Sequence, residues 1–149
     1  MPGLVDPTAR ELGDGLVVGP LSFGCWRFAT SSLKDATAIV GTAVGLGMNL
    51  VDTADVYGLD WNGVGFGAAE DLLGRVFAAS PDLRSRIVLA TKGGIRPGVP
   101  YDSSAAAIRA ACEASLRRLR TEVIDLYQIH RPDPFTHPGE LGDILGVLH

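Results

Sequence analysis

Four side chains able to move or stabilise a proton stand at one kind of place in this sequence, the end of a short apolar run. Asp52 closes Met48-Asn49-Leu50-Val51, and Tyr57 follows within Asp52-Thr53-Ala54-Asp55-Val56-Tyr57. Lys92 follows Ile87-Val88-Leu89-Ala90-Thr91, and His130 follows Val123-Ile124-Asp125-Leu126-Tyr127-Gln128-Ile129. A phenol with a pKa of about 10 is neutral at pH 7 and can donate a proton, though it is a weak acid. A neighbouring ammonium favours the phenolate and would lower that pKa, and a carboxylate can hold the ammonium in place and keep it charged. An imidazole can hydrogen-bond an oxygen and fix its orientation. Brought together, the four would serve an oxygen that gains negative charge and needs a proton. Taken singly each has a plainer explanation: Asp52 a cap, Tyr57 a half-buried surface phenol, Lys92 a solvated strand end, His130 a hydrogen-bonded loop residue. Only their joint placement speaks for chemistry.

The elements that must position them follow from pattern. Each run is apolar throughout, as buried strands of a parallel sheet are. Ahead of them, Glu11 to Val18 has two apolar pieces around Asp14-Gly15, a hairpin signal, with residues 1–11 read as a loose leader. Leu21 to Trp26 is a candidate first barrel strand. Ser31/Ser32 and Gly47 bracket a helix over Lys34–Leu46, with Ala36, Ile39, Ala43 and Val44 on one face. A second helix is expected over Ala68–Ala79, with Ala69, Leu72, Leu73, Val76 and Phe77 inward and Ser80-Pro81 ending it. A third, capped by Asp102/Ser103, turns Ile108, Cys112, Leu116 and Leu119 inward and Arg109, Arg117, Arg118 and Arg120 to water. A fourth starts near Pro138, with the chain stopping inside it at His149.

Strands alternating with helices imply an α/β fold of parallel strands joined by right-handed crossovers. Strand ends carrying polar groups imply a parallel (β/α) barrel of TIM type, whose chemistry sits at the carboxyl ends of its strands. A closed barrel takes about 200–250 residues. The 149 residues here have room for its first half, an N-terminal hairpin and about four β/α units, so residues 1–149 read as one truncated domain.

Net charge is −4, with 13 basic against 17 acidic residues and no basic run, which argues against a nucleic-acid partner. No stretch is long and apolar enough for a membrane span, and no secretion signal is evident. Cys25 and Cys112 have no metal-ligand spacing and read as thiols of a reducing compartment, so a cytoplasmic protein without a metal is expected.

Several pieces, in order, resemble the aldo-keto reductases: Leu50-Val51-Asp52-Thr53-Ala54-Asp55-Val56-Tyr57-Gly58, Glu70-Asp71-Leu72-Leu73-Gly74, Ala90-Thr91-Lys92, Ser115-Leu116-Arg117-Arg118-Leu119 and Ile124-Asp125-Leu126-Tyr127-Gln128-Ile129-His130. The resemblance implies reduction of an aldehyde or ketone with NADPH, a small-molecule carbonyl as substrate, and a catalytic set of Tyr57 (acid), Lys92 (its tuner), Asp52 (support) and His130 (orienter). Asp52 and Trp26 would touch the cofactor, and Trp26, Tyr57, His130 and Trp61 the substrate. The rest of the cofactor site is expected in the second half of the barrel.

Gly63-Val64-Gly65-Phe66-Gly67 lacks the spacing of a dinucleotide fingerprint and reads as a loop. Leu59 to Phe66 reads as an insertion over the pocket mouth, with Phe66 as a further substrate contact. Asp55 reads as turn support, and His137 and His149 as solvent-facing. The competing reading is a non-catalytic half-barrel, a binding module that self-associates through open barrel edges.

Overall fold

The structure, a computed structural model, describes residues 6–148 except positions 14, 61 and 100. Asp14, Trp61 and His149, all singled out from the sequence, therefore lie outside the described residues.

Two strands, β1 (Arg10–Leu12) and β2 (Leu16–Val18), form the expected antiparallel hairpin, pairing Arg10 with Val18 and Glu11 with Val17. The expected leader is thus too long by two residues. Asn49 fastens this hairpin below the main sheet: its Oδ1 accepts from Gly19 N at 2.7 Å and its Nδ2 donates to Val17 O at 2.9 Å.

The main sheet holds β3 (Ser22–Gly24), β4 (Leu50–Asp52), β5 (Val88–Gly93) and β6 (Leu126–Ile129), parallel and in chain order. Helices α1 (Leu33–Gly45), α2 (Ala68–Ala79) and α4 (Ala105–Leu119) connect successive strands, and α5 (Pro138–Gly146) follows β6. This is a partial (β/α) barrel. The one unforeseen element is α3 (Pro81–Arg84): Pro81 stops α2 and then serves as the first residue of a new turn, where its missing N–H costs nothing.

The core lies between sheet and helices. Val51 and Leu89 point into it, against Val40, Leu72, Leu73, Val76 and Leu119. The opposite face carries Leu50, Asp52, Val88 and Lys92, each partly exposed, and the buried Ala90. Strands that read as apolar throughout therefore bury one face more completely than the other.

Local sequence explains most boundaries. Ser32 caps α1 by accepting from Asp35 N at 3.1 Å, and Gly47 takes φ 86° just after it. Gly74 lets α2 approach α4, since a Cβ there would strike Arg118 O and Leu119. Three details differ from expectation. In α1 Val40 is buried and Ile39 is exposed. The cap of α4 is Ser104, which accepts from Ala107 N at 3.3 Å, while Asp102 bonds Ser104 and Arg96 instead. β6 starts at Leu126 and not Val123, because Asp125 turns its carboxylate to Leu89 N (2.7 Å) and Arg84 (3.1 Å). The helix α5 covers Pro138–Gly146, with Val147 as its C-cap.

Arg118 is the larger correction. It was expected to face water; its Nε instead donates to Glu70 Oε2 at 2.7 Å, where the Glu70 side chain is fully buried. Glu70 Oε1 in turn accepts from Thr91 Oγ1 at 2.6 Å. The pattern of α4 pointed Arg118 outward because helical periodicity alone does not register a buried acid on a neighbouring helix.

Candidate active site

Parallel pairing brings the strand ends into register. Asp52 lies beside Gly24 on one side and Ala90 on the other, and Lys92 pairs with Gln128. Backbone bonds carry the ladder on past the strands: Thr53 N to Ala90 O (2.9 Å), Asp55 N to Lys92 O (3.0 Å) and His130 N to Gly93 O (2.8 Å). The three polar residues at these ends therefore share one edge of the sheet.

Lys92 Nζ sits 2.7 Å from both Asp52 Oδ1 and Oδ2 and donates to Thr53 O, also at 2.7 Å. Three oxygens fix this ammonium, with its side chain 13% exposed. A charged hydrogen bond so partnered holds its geometry well. Gln128 Nε2 approaches Asp52 Oδ1 at 3.5 Å from β6, across the intervening β5.

Tyr57 reaches the same place from a turn. The turn is tied by Tyr57 N to Ala54 O (3.1 Å) and by Ala69 N to Tyr57 O (3.1 Å), which anchors it on the first turn of α2. Gly58 is required next: it takes φ 116°, and a Cβ would strike Gly65 O and the Ala68 side chain. The Tyr57 ring centroid lies 5.0 Å from Lys92 Nζ and 5.6 Å from the His130 ring, which meets it edge-on at 85°. Trp26, from the loop after β3, lies 6.5 Å from Tyr57 on the other side.

These rings bound a cavity of about 360 Å³ lined by Trp26, Val56, Tyr57, Asp60, Ile95, His130 and Arg131. Burial holds the His130 pKa below the ordinary histidine value, with the positive charges of Lys92 and Arg131 acting in the same direction. Its Nδ1 is buried without a hydrogen-bond partner among the described residues. The imidazole is thus kept neutral.

The structure brings together Asp52, Tyr57, Lys92, His130 and Trp26. Phe66, expected over this mouth, lies instead in the wall of a different cavity, 5.6 Å from the Arg118 guanidinium. Asp55 supports the turn through its backbone, its carbonyl accepting from Gly67 N at 2.7 Å, whereas its carboxylate is buried and Oδ1 lacks a partner. His137 caps α5, its Nδ1 accepting from Gly139 N at 3.1 Å. Asp60, Ile95 and Arg131 were not anticipated at the cavity. Arg131 had a signal, its position directly after His130; Asp60 and Ile95 are placed by loop paths that no periodicity encodes. Among the described residues no cluster of side chains could hold a metal ion, and no helix is long and apolar enough to cross a membrane.

Comparison with known proteins agrees with this geometry. The model of the aldo/keto reductase family matches residues 20–149. A 6-dehydroglucose reductase of Novosphingobium aromaticivorans is 51% identical over 142 residues, covering 93% of this chain and 46% of that protein. A second, from Agrobacterium fabrum, is 34% identical over 149 residues, covering 92% of this chain and 48% of its own length. Among solved structures, the holo form of aldo-keto reductase AKR11C1 from Bacillus halodurans superposes with a TM-score of 0.77 at 34% identity, covering 96% of this chain and 46% of that one. The chain spans about half the length of the relatives it matches. Across that half, sequence and fold agree, and the chain belongs to the aldo/keto reductase family.

Proposed function

We propose that this chain carries the proton-handling half of an NADPH-dependent reductase of aldehydes or ketones. The observation that carries the reading is the fixed Asp52–Lys92 pair beneath the Tyr57 ring, with a neutral His130 facing that ring across the cavity. In carbonyl reduction the carbon gains a hydride and the oxygen must gain a proton. Tyr57 donates that proton from its hydroxyl. Lys92 stabilises the negative charge left on the phenolic oxygen, and Asp52 keeps Lys92 charged and in place. His130 hydrogen-bonds the substrate oxygen and orients it toward Tyr57.

A bound nicotinamide cofactor supplies the hydride. Residues suited to its reactive end are present: Asp52, whose side chain stays 31% exposed beside Lys92, and the Trp26 ring at the cavity wall. A cavity of about 360 Å³ accommodates a ring and a small substrate and not a whole dinucleotide. The remaining contacts belong to the part of the barrel that the longer relatives possess. Asp60 and Arg131 offer hydrogen bonds at the rim, which suits a hydroxylated, sugar-like carbonyl compound of the kind the relatives' names indicate. Cys25 and Cys112 are both free thiols, which accords with a reducing cytoplasm. The decisive experiment is Tyr57→Phe in a full-length form. Loss of NADPH-dependent aldehyde reduction with cofactor binding retained is expected, and undiminished turnover would overturn the reading.

A second reading has an observation of its own. The outer edges of β3 and β6 have no strand partner among the described residues, so a self-associating half-barrel would bury both. A concentration-dependent dimer in sedimentation, with no quenching of NADPH fluorescence on titration, would favour it over the enzyme.

A further inference from the structure

A second cavity among the described residues exceeds the one beside Tyr57 in volume. A space of about 520 Å³ lies between α4 and the loops that follow β4 and β5. One wall is a face of α4 bearing Ala107, Ala110, Ala111 and Ala114, at helical spacing. Phe66 and Ile95 close it from the loops. An alanine face by itself marks nothing, since small residues also serve close packing. Here the four alanines line a cavity.

A polar group in the same wall gives that void a chemistry. Asp55 lines the cavity and is 2% exposed, and its Oδ1 has no hydrogen-bond partner among the described residues. Native folds rarely leave a buried carboxyl oxygen unpartnered. Burial, together with the Glu70 carboxylate, raises the Asp55 pKa to about 7, so both protonation states are populated near neutrality.

We propose that this cavity binds a small alcohol or phenol, its hydroxyl on Asp55 and its apolar body against the alanine face of α4. A hydroxyl donates to the carboxylate and accepts from the carboxylic acid, so it satisfies Asp55 in either state. Arg118 in the same wall disfavours a cation, and it is already committed to Glu70 at 2.7 Å. The Asp55 and Asp102 carboxyl groups in its wall disfavour an anion. The site is separate from the one beside Tyr57, although Ile95 lines both and stands between them. The inference does not depend on the proposed reductase activity.

The test is a titration of ¹⁵N-labelled full-length protein with benzyl alcohol and, in parallel, with toluene. Benzyl alcohol is expected to give saturable shifts at Gly94 to Arg96 and along Ala106 to Ala114, and to bind about tenfold more tightly than toluene, the difference one hydrogen bond to a buried acid makes. Ala107→Phe fills the space from a half-exposed helix position and should abolish those shifts while leaving the rest of the spectrum in place. Asp55→Ala should bring the two probes to equal affinity. Shifts confined to Trp26, Tyr57 and His130 would overturn the proposal. So would equal binding of the two probes by the native protein, undiminished binding by Ala107→Phe, or no saturable binding at all.

Discussion

Arg118 Nε donates to Glu70 Oε2 at 2.7 Å, joining the last turn of α4 to the first turn of α2 through a carboxylate with no exposed surface. The same carboxylate accepts from Thr91 on β5 at 2.6 Å, so one acid connects two helices and the sheet. Its neighbour in α2, Ala69, anchors the turn that carries Tyr57 by donating from N to Tyr57 O at 3.1 Å.

Breaking this pair from one side should be costly. Arg118→Met would leave Glu70 charged and buried with only a hydroxyl as partner, and loss of one member of a buried pair costs roughly 3–5 kcal/mol. Adding Glu70→Gln to that variant should recover part of the loss, because the uncompensated charge is gone. Urea denaturation of the single and double variants measures both. Equal stability of Arg118→Met and the native protein would show the pair to be energetically idle.

The site variants separate by role. On the proposed carbonyl reduction, Lys92→Met in a full-length form should lower kcat by about a hundred- to ten-thousandfold, the usual scale for a group that supports proton transfer. Asp52→Asn should do less, since Thr53 O still holds Lys92 Nζ at 2.7 Å. Steady-state kinetics, with NADPH affinity measured separately, distinguishes lost chemistry from lost binding.

Asp55 makes stability depend on pH in an unusual direction for an aspartate. Its pKa is about 7 in the fold, raised first by burial and next by Glu70, against about 3.9 in an unfolded chain. Between these values the folded state holds more protons, so this group's contribution is complete below pH ~4 and is lost as pH rises toward about 7. Its slope approaches roughly 1.4 kcal/mol per pH unit inside that window. Asp55→Asn should remove that dependence, seen as a change in the difference between the two denaturation curves from pH 4 to 7.

His130 acts with the opposite sign. Its pKa is lowered by burial, then by Lys92 and Arg131, so the unfolded chain protonates first as pH falls below about 6.5 and stability contributed by neutral His130 is lost. Arg131→Gln removes one of the charges responsible and should raise the His130 midpoint toward the ordinary value. An NMR titration of the imidazole C–H resonances reads it directly. An unchanged midpoint would mean that burial and Lys92 set the value without Arg131.

The order of strands and helices was legible because each element carries its own local signal. The span of α2 was readable from Ala69, Leu72, Leu73, Val76 and Phe77, all of which are buried, with Pro81 at its end. Asp52, Tyr57, Lys92 and His130 could be picked out because they stand where apolar runs stop, and parallel register then carries three of them to one edge. Ile39 was misplaced because a stripe a single residue wide is shifted by small changes in where the helix rests on the sheet. Trp61, with its expected substrate contact, lies outside the described residues.

By itself the sequence determined the alternation of strand and helix, the residue types able to handle a proton, and the caps and glycines at most boundaries. Each of these depends on residues close together along the chain. Only the tertiary structure decided that Phe66 leaves the Tyr57 mouth for another cavity, that Arg118 turns inward to Glu70, and that the Asp55 carboxylate faces a void. Those outcomes depend on how loops cross and on which buried charge a helix meets from its neighbour, distances set by packing between segments that no local period records.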